Sequence, residues 1–465
     1  MPQWLSNFLP ILLLLGAVLI VVRRLPRIEM GHSDAFRRRR VFNWLPLGLT
    51  YAFLYFGRYN INEATSALGK IVDNAGFGTI FAVGSWVYGV SFLVNGPLTD
   101  RLGGRKTILI AALGSALSNL LMGGAVYAAV SKGVALPGGV VGTLSVLFGL
   151  NMYFQSFGAV SIVKVNAAWF HVRERGVQGG VFGVLIALGI YFGYDWSRAI
   201  ARAAPEAPWL ILVIPAIILV VMFGVSMALV RDTPSETGHP DFDLGDATAA
   251  DDDKLSVAQV FLRMFRNRVI LIIIAIEFCT GYLRNGVMSW YPKFARAVDL
   301  QDDFVSKNWG LLLCVFGIVG GMFAGVISDR VFHSRRGPVA SVLYGGITLG
   351  SIVMLFTIEH WWVGWVLVFM ALNYVGVHGM LSGTASADFG GRKNTGVAVG
   401  VIDGFVYLGT GVQSLAVGLA LPTGEAAKDA ANWIRWPMAM VPLAIIGLIL
   451  CTRVWHAKPR AGGGH

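Results

Sequence analysis

Arg58, in the stretch YAFLYFGRYNINEA, and Arg284, in IAIEFCTGYLRNGVMSWYPKF, stand in the middle of strongly apolar segments and hold matching places in the two halves of the chain. A guanidinium at membrane depth costs about 2.5–3.5 kcal/mol on insertion scales, so it persists where it faces a cavity or a partner. Two of them in register point to one shared anionic ligand, held by charge-assisted, planar forks from two sides.

Other residues with chemistry lie near these two. Tyr51, Tyr55 and Asn62 are at −7, −3 and +4 from Arg58 and share its helix face. Tyr55 and Asn62 are therefore candidate ligand contacts, while an aromatic stripe at this spacing serves plain packing equally well. Glu63 is five residues on, off that face, and reads as structural. Glu277 lies seven positions before Arg284 on a common face, and Asp403 sits mid-segment in GVAVGVIDGFVYLGTG. Each either titrates with ligand binding, coupling or compensating charge, or fixes helix packing by pairing with an arginine. Lys164, toward one end of its segment, either snorkels to the interface or draws an anion inward. His378, in NYVGVHGMLSG, is a candidate proton or hydrogen-bond partner of the ligand, or a packing histidine. Trp290 and Tyr291 read as members of the outer aromatic belt.

These positions need elements that cross a bilayer. The 465 residues are 55% hydrophobic and only 14% charged, with a mean hydropathy of +0.65. Apolar stretches near 41–66, 80–98, 107–129, 138–165, 175–197 and 208–230, then 268–291, 305–328, 338–357, 361–386, 395–420 and 431–453, form two sets of six. The expected fold is an all-α polytopic membrane protein. Its 58 glycines suit helices that approach closely. Cys279, Cys314 and Cys451 all fall in apolar stretches, which leaves no disulfide framework and no metal cluster.

The expected organisation is a first segment of residues 1–40, a six-helix bundle over 41–230, a polar linker over 231–267, a second bundle over 268–453 and a tail over 454–465. The first segment holds an extra hydrophobic helix, WLSNFLPILLLLGAVLIVV, without a basic start or a small-residue cleavage site, so a spanning or interfacial helix is expected there. Basic residues cluster in alternate loops: seven arginines in residues 23–40, then DRLGGRK, HVRERG, DRVFHSRR, GGRKN and HAKPR. By the positive-inside rule these loops, and the C-terminus, are cytoplasmic. The net charge of +11 is thereby assigned to topology, and no nucleic-acid partner is expected.

The two halves repeat one another. GPLTDRLGGRK, with Asp100, Arg101 and Arg105, follows the second helix of the first half, and GVISDRVFHSRR, with Asp329 and Arg330, follows the second helix of the second. Asp100 and Asp329 are 229 positions apart, and Arg58 and Arg284 are 226 apart. That spacing indicates a duplicated six-helix unit, with a ligand site near the midplane between the two copies.

The two loops resemble the signature loop of the major facilitator superfamily. There an Asp at a helix end pairs with an Arg or a neighbouring helix N-terminus and holds one access state, so the five loop residues are candidate gating groups. Within that superfamily, GRYNINEA, WFHVRERG, RDTP and YLRNGVMSWYPKF resemble the organophosphate:phosphate antiporter family over residues 41–453. The resemblance implies two pseudo-symmetric six-helix halves, alternating access, and exchange of an organic phosphate for inorganic phosphate, with Arg58 and Arg284 as the phosphate-gripping pair. It departs at Phe92, where the glycerol-phosphate branch carries a lysine, and near Ile186, where that branch carries a histidine. The organic moiety stays open on both grounds.

No P-loop, metal-ligand spacing or nucleophile–base pair is present, so no enzyme, cofactor or metal is expected. The expected protein is a monomer in membrane lipid, in a bacterial inner membrane, that carries an anionic, phosphorylated metabolite. Proton-coupled symport of an organic anion, or sensing of a sugar phosphate without flux, are the alternatives.

Overall fold

The structure, a computed structural model, describes residues 30–69, 71–171, 174–244, 257–332, 335–381 and 395–456. The expected first hydrophobic helix, the loop GGRKN and most of the tail lie outside the described residues. Among the described residues there are twelve long helices: α1 (Asp34–Ala67), α2 (Asn74–Leu102), α3 (Gly104–Lys132), α4 (Gly139–Trp169), α5 (Arg175–Tyr191) and α6 (Leu210–Leu229). After a short amphipathic helix, Val257–Arg266, come α7 (Arg268–Ala297), α8 (Trp309–Arg330), α9 (Arg336–Thr357), α10 (Val363–His378), α11 (Thr395–Ala420) and α12 (Arg435–Arg453). Among the described residues no strand occurs.

Local chemistry marks where several of these helices start. Ser33, Asp73 and Asn267 accept from the first free backbone amides of α1, α2 and α7, satisfying donors that have no intrahelical partner. α1 begins at Asp34, so the run Arg37–Arg40 forms its first turns rather than a stretch before the bundle. The reason is that these arginines bind across the bundle end: Arg40 is paired with Glu174 at 3.0 Å and Arg39 donates to the Leu229 carbonyl at 2.7 Å.

Ten of the described helices are long and apolar enough to cross a membrane. α1 is not among them, for a physical reason. α1 sits centrally and buries Arg58, Asn60, Asn62 and Glu63, so its polar positions meet protein rather than lipid.

The packing repeats with a shift of six helices. α1 packs on α5 and α6, α2 on α4, and α3 on α4 and α6; correspondingly α7 packs on α11 and α12, α8 on α10, and α9 on α10 and α12. Across the halves, α2 packs on α11 and α5 on α8. The α2–α11 contact is backbone-close. A Cβ on Gly89 would lie 2.8 Å from the Gly404 carbonyl, and one on Gly404 would lie 3.0 Å from that of Gly89, so both positions require glycine.

Candidate anion-binding site between the halves

α1 carries Arg58 into the centre of the molecule, where it is 1% exposed. Its Nε donates to Gln155 Oε1 of α4 at 2.8 Å, and its Nη1 donates to the Tyr407 hydroxyl of α11 at 2.6 Å. Nη2 is buried without a hydrogen-bond partner. Three phenol rings surround the guanidinium, with Cζ 4.5 Å from the Tyr55 centroid, 4.4 Å from Tyr88 and 5.7 Å from Tyr407. Such faces attract a cation without neutralising it.

The fork is held by amides. Gln155 Nε2 donates to Asn151 Oδ1 at 3.2 Å, one turn back on α4, and Asn151 Nδ2 donates to the Gly57 carbonyl beside Arg58 at 2.9 Å. Asn119 of α3 also donates to Gly57, at 3.1 Å. Intramembrane amides paired in this way lock rotamers, since an unpaired alternative is costly in apolar surroundings.

Arg284 comes from α7 of the other half and lies over the same ring, its Cζ 5.4 Å from the Tyr407 centroid. It is partly buried, and among the described residues it has no hydrogen-bond or ion-pair partner. The titratable groups that act on it most are phenols, those of Tyr407, Tyr59, Tyr55 and Tyr374. No carboxylate pairs with either arginine among the described residues. Two desolvated guanidiniums, one from each half, thus share a central phenol and lack a counter-charge.

The other sequence candidates spread out. Tyr55 belongs to the Arg58 cage, whereas the Asn62 amide donates to the Tyr59 carbonyl at 3.0 Å and contacts neither arginine. Lys164 is paired with Asp100 at 2.8 Å, with side chains 43% and 67% exposed, which places it at the basic end beside the α2–α3 loop rather than with the arginines. This corrects the expected partner of Asp100. The helix N-terminus is capped instead by Asp232 of RDTP, which accepts from the Arg105 amide at 2.8 Å, while the Arg105 side chain donates to the Met227 carbonyl at 2.8 Å. Arg101 and Arg330 are exposed, and the side chain of Asp329 lies outside the described residues.

Glu277 is fully buried, and its partner is His378 of α10, with Oε2 3.0 Å from Nδ1, not Arg284. Two helical turns separate Glu277 from Arg284, about 10 Å along the axis, which lets the nearer imidazole take the carboxylate. Asp403 is an electrostatic neighbour of both members of this pair. Trp290 and Tyr291 are fully buried, so they do not form an outer belt. Trp290 packs edge-on against Phe77 of the first half and donates to Gln413 at 3.2 Å; Tyr291 packs on Trp309. Closure of the halves sets the place of Trp290, while Tyr291 is covered from within the second half by Trp309.

That closure has its own polar contacts, unseen in the sequence. Glu63 pairs with Arg296, and Lys293 donates to Thr65 at 3.1 Å and Ser66 at 3.2 Å. Directly after α5 a π turn, Phe192–Trp196, projects Asp195 toward α8, where its oxygens accept from the amides of Gly310 and Leu311, both at 2.9 Å. Arg198 donates to the Ser306 carbonyl, and Asn74 to that of Pro422 at 2.7 Å. Among the described residues, every hydrogen bond or ion pair between halves other than Arg58–Tyr407 lies at the end opposite the basic loops.

Tyr407, Tyr88, Gln155 and Asn151 were not sequence candidates. Asn151 and Gln155 are four apart in GLNMYFQSFG, and Tyr407 is four beyond Asp403. Polar groups at one-turn spacing inside apolar helices were the available signal.

Known proteins resemble this chain in sequence and fold. A profile of the Major Facilitator Superfamily matches residues 47–414. The "Glycerol-3-phosphate transporter" of Bacillus subtilis (strain 168) is 25% identical, over 94% of this chain and 97% of its own. The "Probable hexose phosphate transport protein" of Chlamydia pneumoniae is 24% identical, over 91% and 92%. A solved bacterial homolog of the human lysosomal transporter Spinster superposes with a TM-score of 0.68 at 12% identity, covering 93% of this chain and 100% of that one, which shows the fold. The chain belongs to the major facilitator superfamily, and its relatives are those of the organophosphate:phosphate antiporter family.

Proposed function

We propose that the protein is a secondary active transporter that moves a small phosphorylated anion by alternating access, in exchange for inorganic phosphate. The observation that carries this reading is the arginine pair. Arg58 and Arg284 come from opposite halves, converge on Tyr407 and, among the described residues, have no carboxylate partner, while Arg58 Nη2 is buried without a hydrogen-bond partner there. A tetrahedral oxyanion supplies what both lack, and a ligand that touches both halves links its own binding to their relative motion. The names of the glycerol-phosphate and hexose-phosphate relatives support the phosphorylated class.

Exchange follows from the same electrostatics. An empty site leaves two guanidiniums beside one ring without a counter-charge among the described residues, so returning empty is costlier than returning with phosphate. In the proposed topology the basic loops and the C-terminus face the cytoplasm of a bacterial inner membrane. The Glu63–Arg296, Lys293 and Asp195 contacts then close the outer side and must break on opening. A monomer contains both halves of the site.

The test uses proteoliposomes loaded with inorganic phosphate. Labelled phosphate, glycerol 3-phosphate or glucose 6-phosphate should accumulate in loaded vesicles and not in empty ones. Binding without exchange would make the protein a sensor, and no binding of any phosphate compound would remove the reading.

A further inference from the structure

The two halves differ at one buried position next to the arginines. Displacing by the 226 residues that separate Arg58 from Arg284 places Glu277 opposite Tyr51. The first half therefore carries a neutral phenol where the second carries an acid. Glu277 has no exposed surface, its Oε2 meets His378 Nδ1 at 3.0 Å, and its Oε1 is buried without a hydrogen-bond partner among the described residues. The histidine side chain is 31% exposed, so the pair is not sealed.

Among the described residues the surroundings hold few charges. Glu277 is approached by His378 from α10, by Asp403 from α11 and by Arg284 on its own helix. Among the described residues, the neutral Tyr344 of α9 and Cys451 of α12 also lie in its field. His378 meets Glu277, Asp403 and Arg284. Two carboxylates, one imidazole and one guanidinium thus occupy one electrostatic neighbourhood, in which a histidine, whose ordinary titration lies near neutral pH, can exchange a proton with solvent.

We infer that Glu277 and His378 form a proton-binding site in the second half, which couples uptake of one proton to binding of the anion at Arg284. The inference rests on the anion-site reading above. A proton on the pair changes Glu277⁻/His378⁰ to a pair of zero net charge, with the proton held between Oε2 and Nδ1. The negative charge that competes for the field of Arg284 is removed, and the anion binds more tightly. By reciprocity, anion binding draws a proton onto the pair. Transport then carries a proton with the anion in one direction and releases it when the anion leaves.

The experiment is calorimetric titration of the purified full chain with inorganic phosphate between about pH 5.5 and 8, the range in which histidine titrates. Repeating it in buffers of different ionisation enthalpy counts protons taken up. Phosphate itself titrates in this range, so the readout is the difference between wild type and Glu277→Gln at each pH, in which the ligand's own protons cancel. His378→Gln approaches the pair from the other side, should one variant fail to fold. We expect wild type to take up more protons than either variant, with its affinity relative to theirs falling by up to about ten-fold per pH unit as the pH rises, the limit for one linked proton. Equal proton counts and parallel affinity profiles, with phosphate bound by all three, would overturn the proton site and leave the anion site standing. Failure of wild type to bind phosphate at every pH would overturn the anion site and the coupling with it.

Discussion

Arg58 of the first half donates a 2.6 Å hydrogen bond to the hydroxyl of Tyr407 in the second. The same ring lies under Arg284. One phenol therefore serves as the polar partner of one guanidinium and the π-face of another, and it joins the halves at the depth where both charges sit.

Replacing either arginine with lysine keeps the charge but removes the fork. In Arg58→Lys the bonds to Gln155 and Tyr407 cannot both be kept. Loss of one charge-assisted hydrogen bond, at about 1.5–3 kcal/mol, lowers phosphate affinity by about 10- to 100-fold. Calorimetric binding in folded Arg58→Lys and Arg284→Lys checks this. Wild-type affinity in both would show that the pair does not bind the anion.

Tyr407→Phe keeps the ring and removes the acceptor, leaving Arg58 Nη1 as unpartnered as Nη2. A bound phosphate can occupy the vacated donors. The melting temperature should therefore fall more without ligand than at saturating phosphate, so the stabilisation that phosphate confers grows in the variant. An equal fall in both conditions would mean that Tyr407 and the anion do not exchange places at Arg58.

Contacts at the end opposite the basic loops hold the two halves together there. Glu63→Gln weakens the pair with Arg296, and Asp195→Asn removes a carboxylate that caps α8 from the other half, an interaction worth about 0.5–2 kcal/mol. The double variant should open this end more often. The check is labelling of Ser66→Cys by a membrane-impermeant thiol reagent, read against a low background because Cys279, Cys314 and Cys451 are all buried. Unchanged labelling would remove these contacts from the gate.

Asp232→Ala removes the cap of α3 at the Arg105 amide. A loss of about 1 kcal/mol is expected. It should appear as a lower melting temperature with phosphate affinity unchanged, because the cap lies at the basic end, away from Arg58 and Arg284.

Much of the fold is legible from composition and spacing. Helices in lipid satisfy their own backbone, so apolar stretches of about 20 residues announce themselves one at a time. The repeat of DR-loops and of Arg58 with Arg284 announced the duplication, and the two arginines were legible because charge at such depth needs a reason. What the tertiary structure decided is which polar groups meet. Trp290 and Tyr291 have the composition of a membrane-interface belt, yet both are buried, Trp290 against Phe77 of the other half and Tyr291 against Trp309 of its own. Lys164 and Asp100 are 64 residues apart and pair at the basic end. Glu277 shares a helix face with Arg284 but turns to a histidine 101 residues away, and Tyr407 reaches Arg58 over a separation of 349. Helix periodicity assigns a residue to a face. The neighbour that face meets depends on how twelve helices pack, and packing joins residues that no local spacing relates.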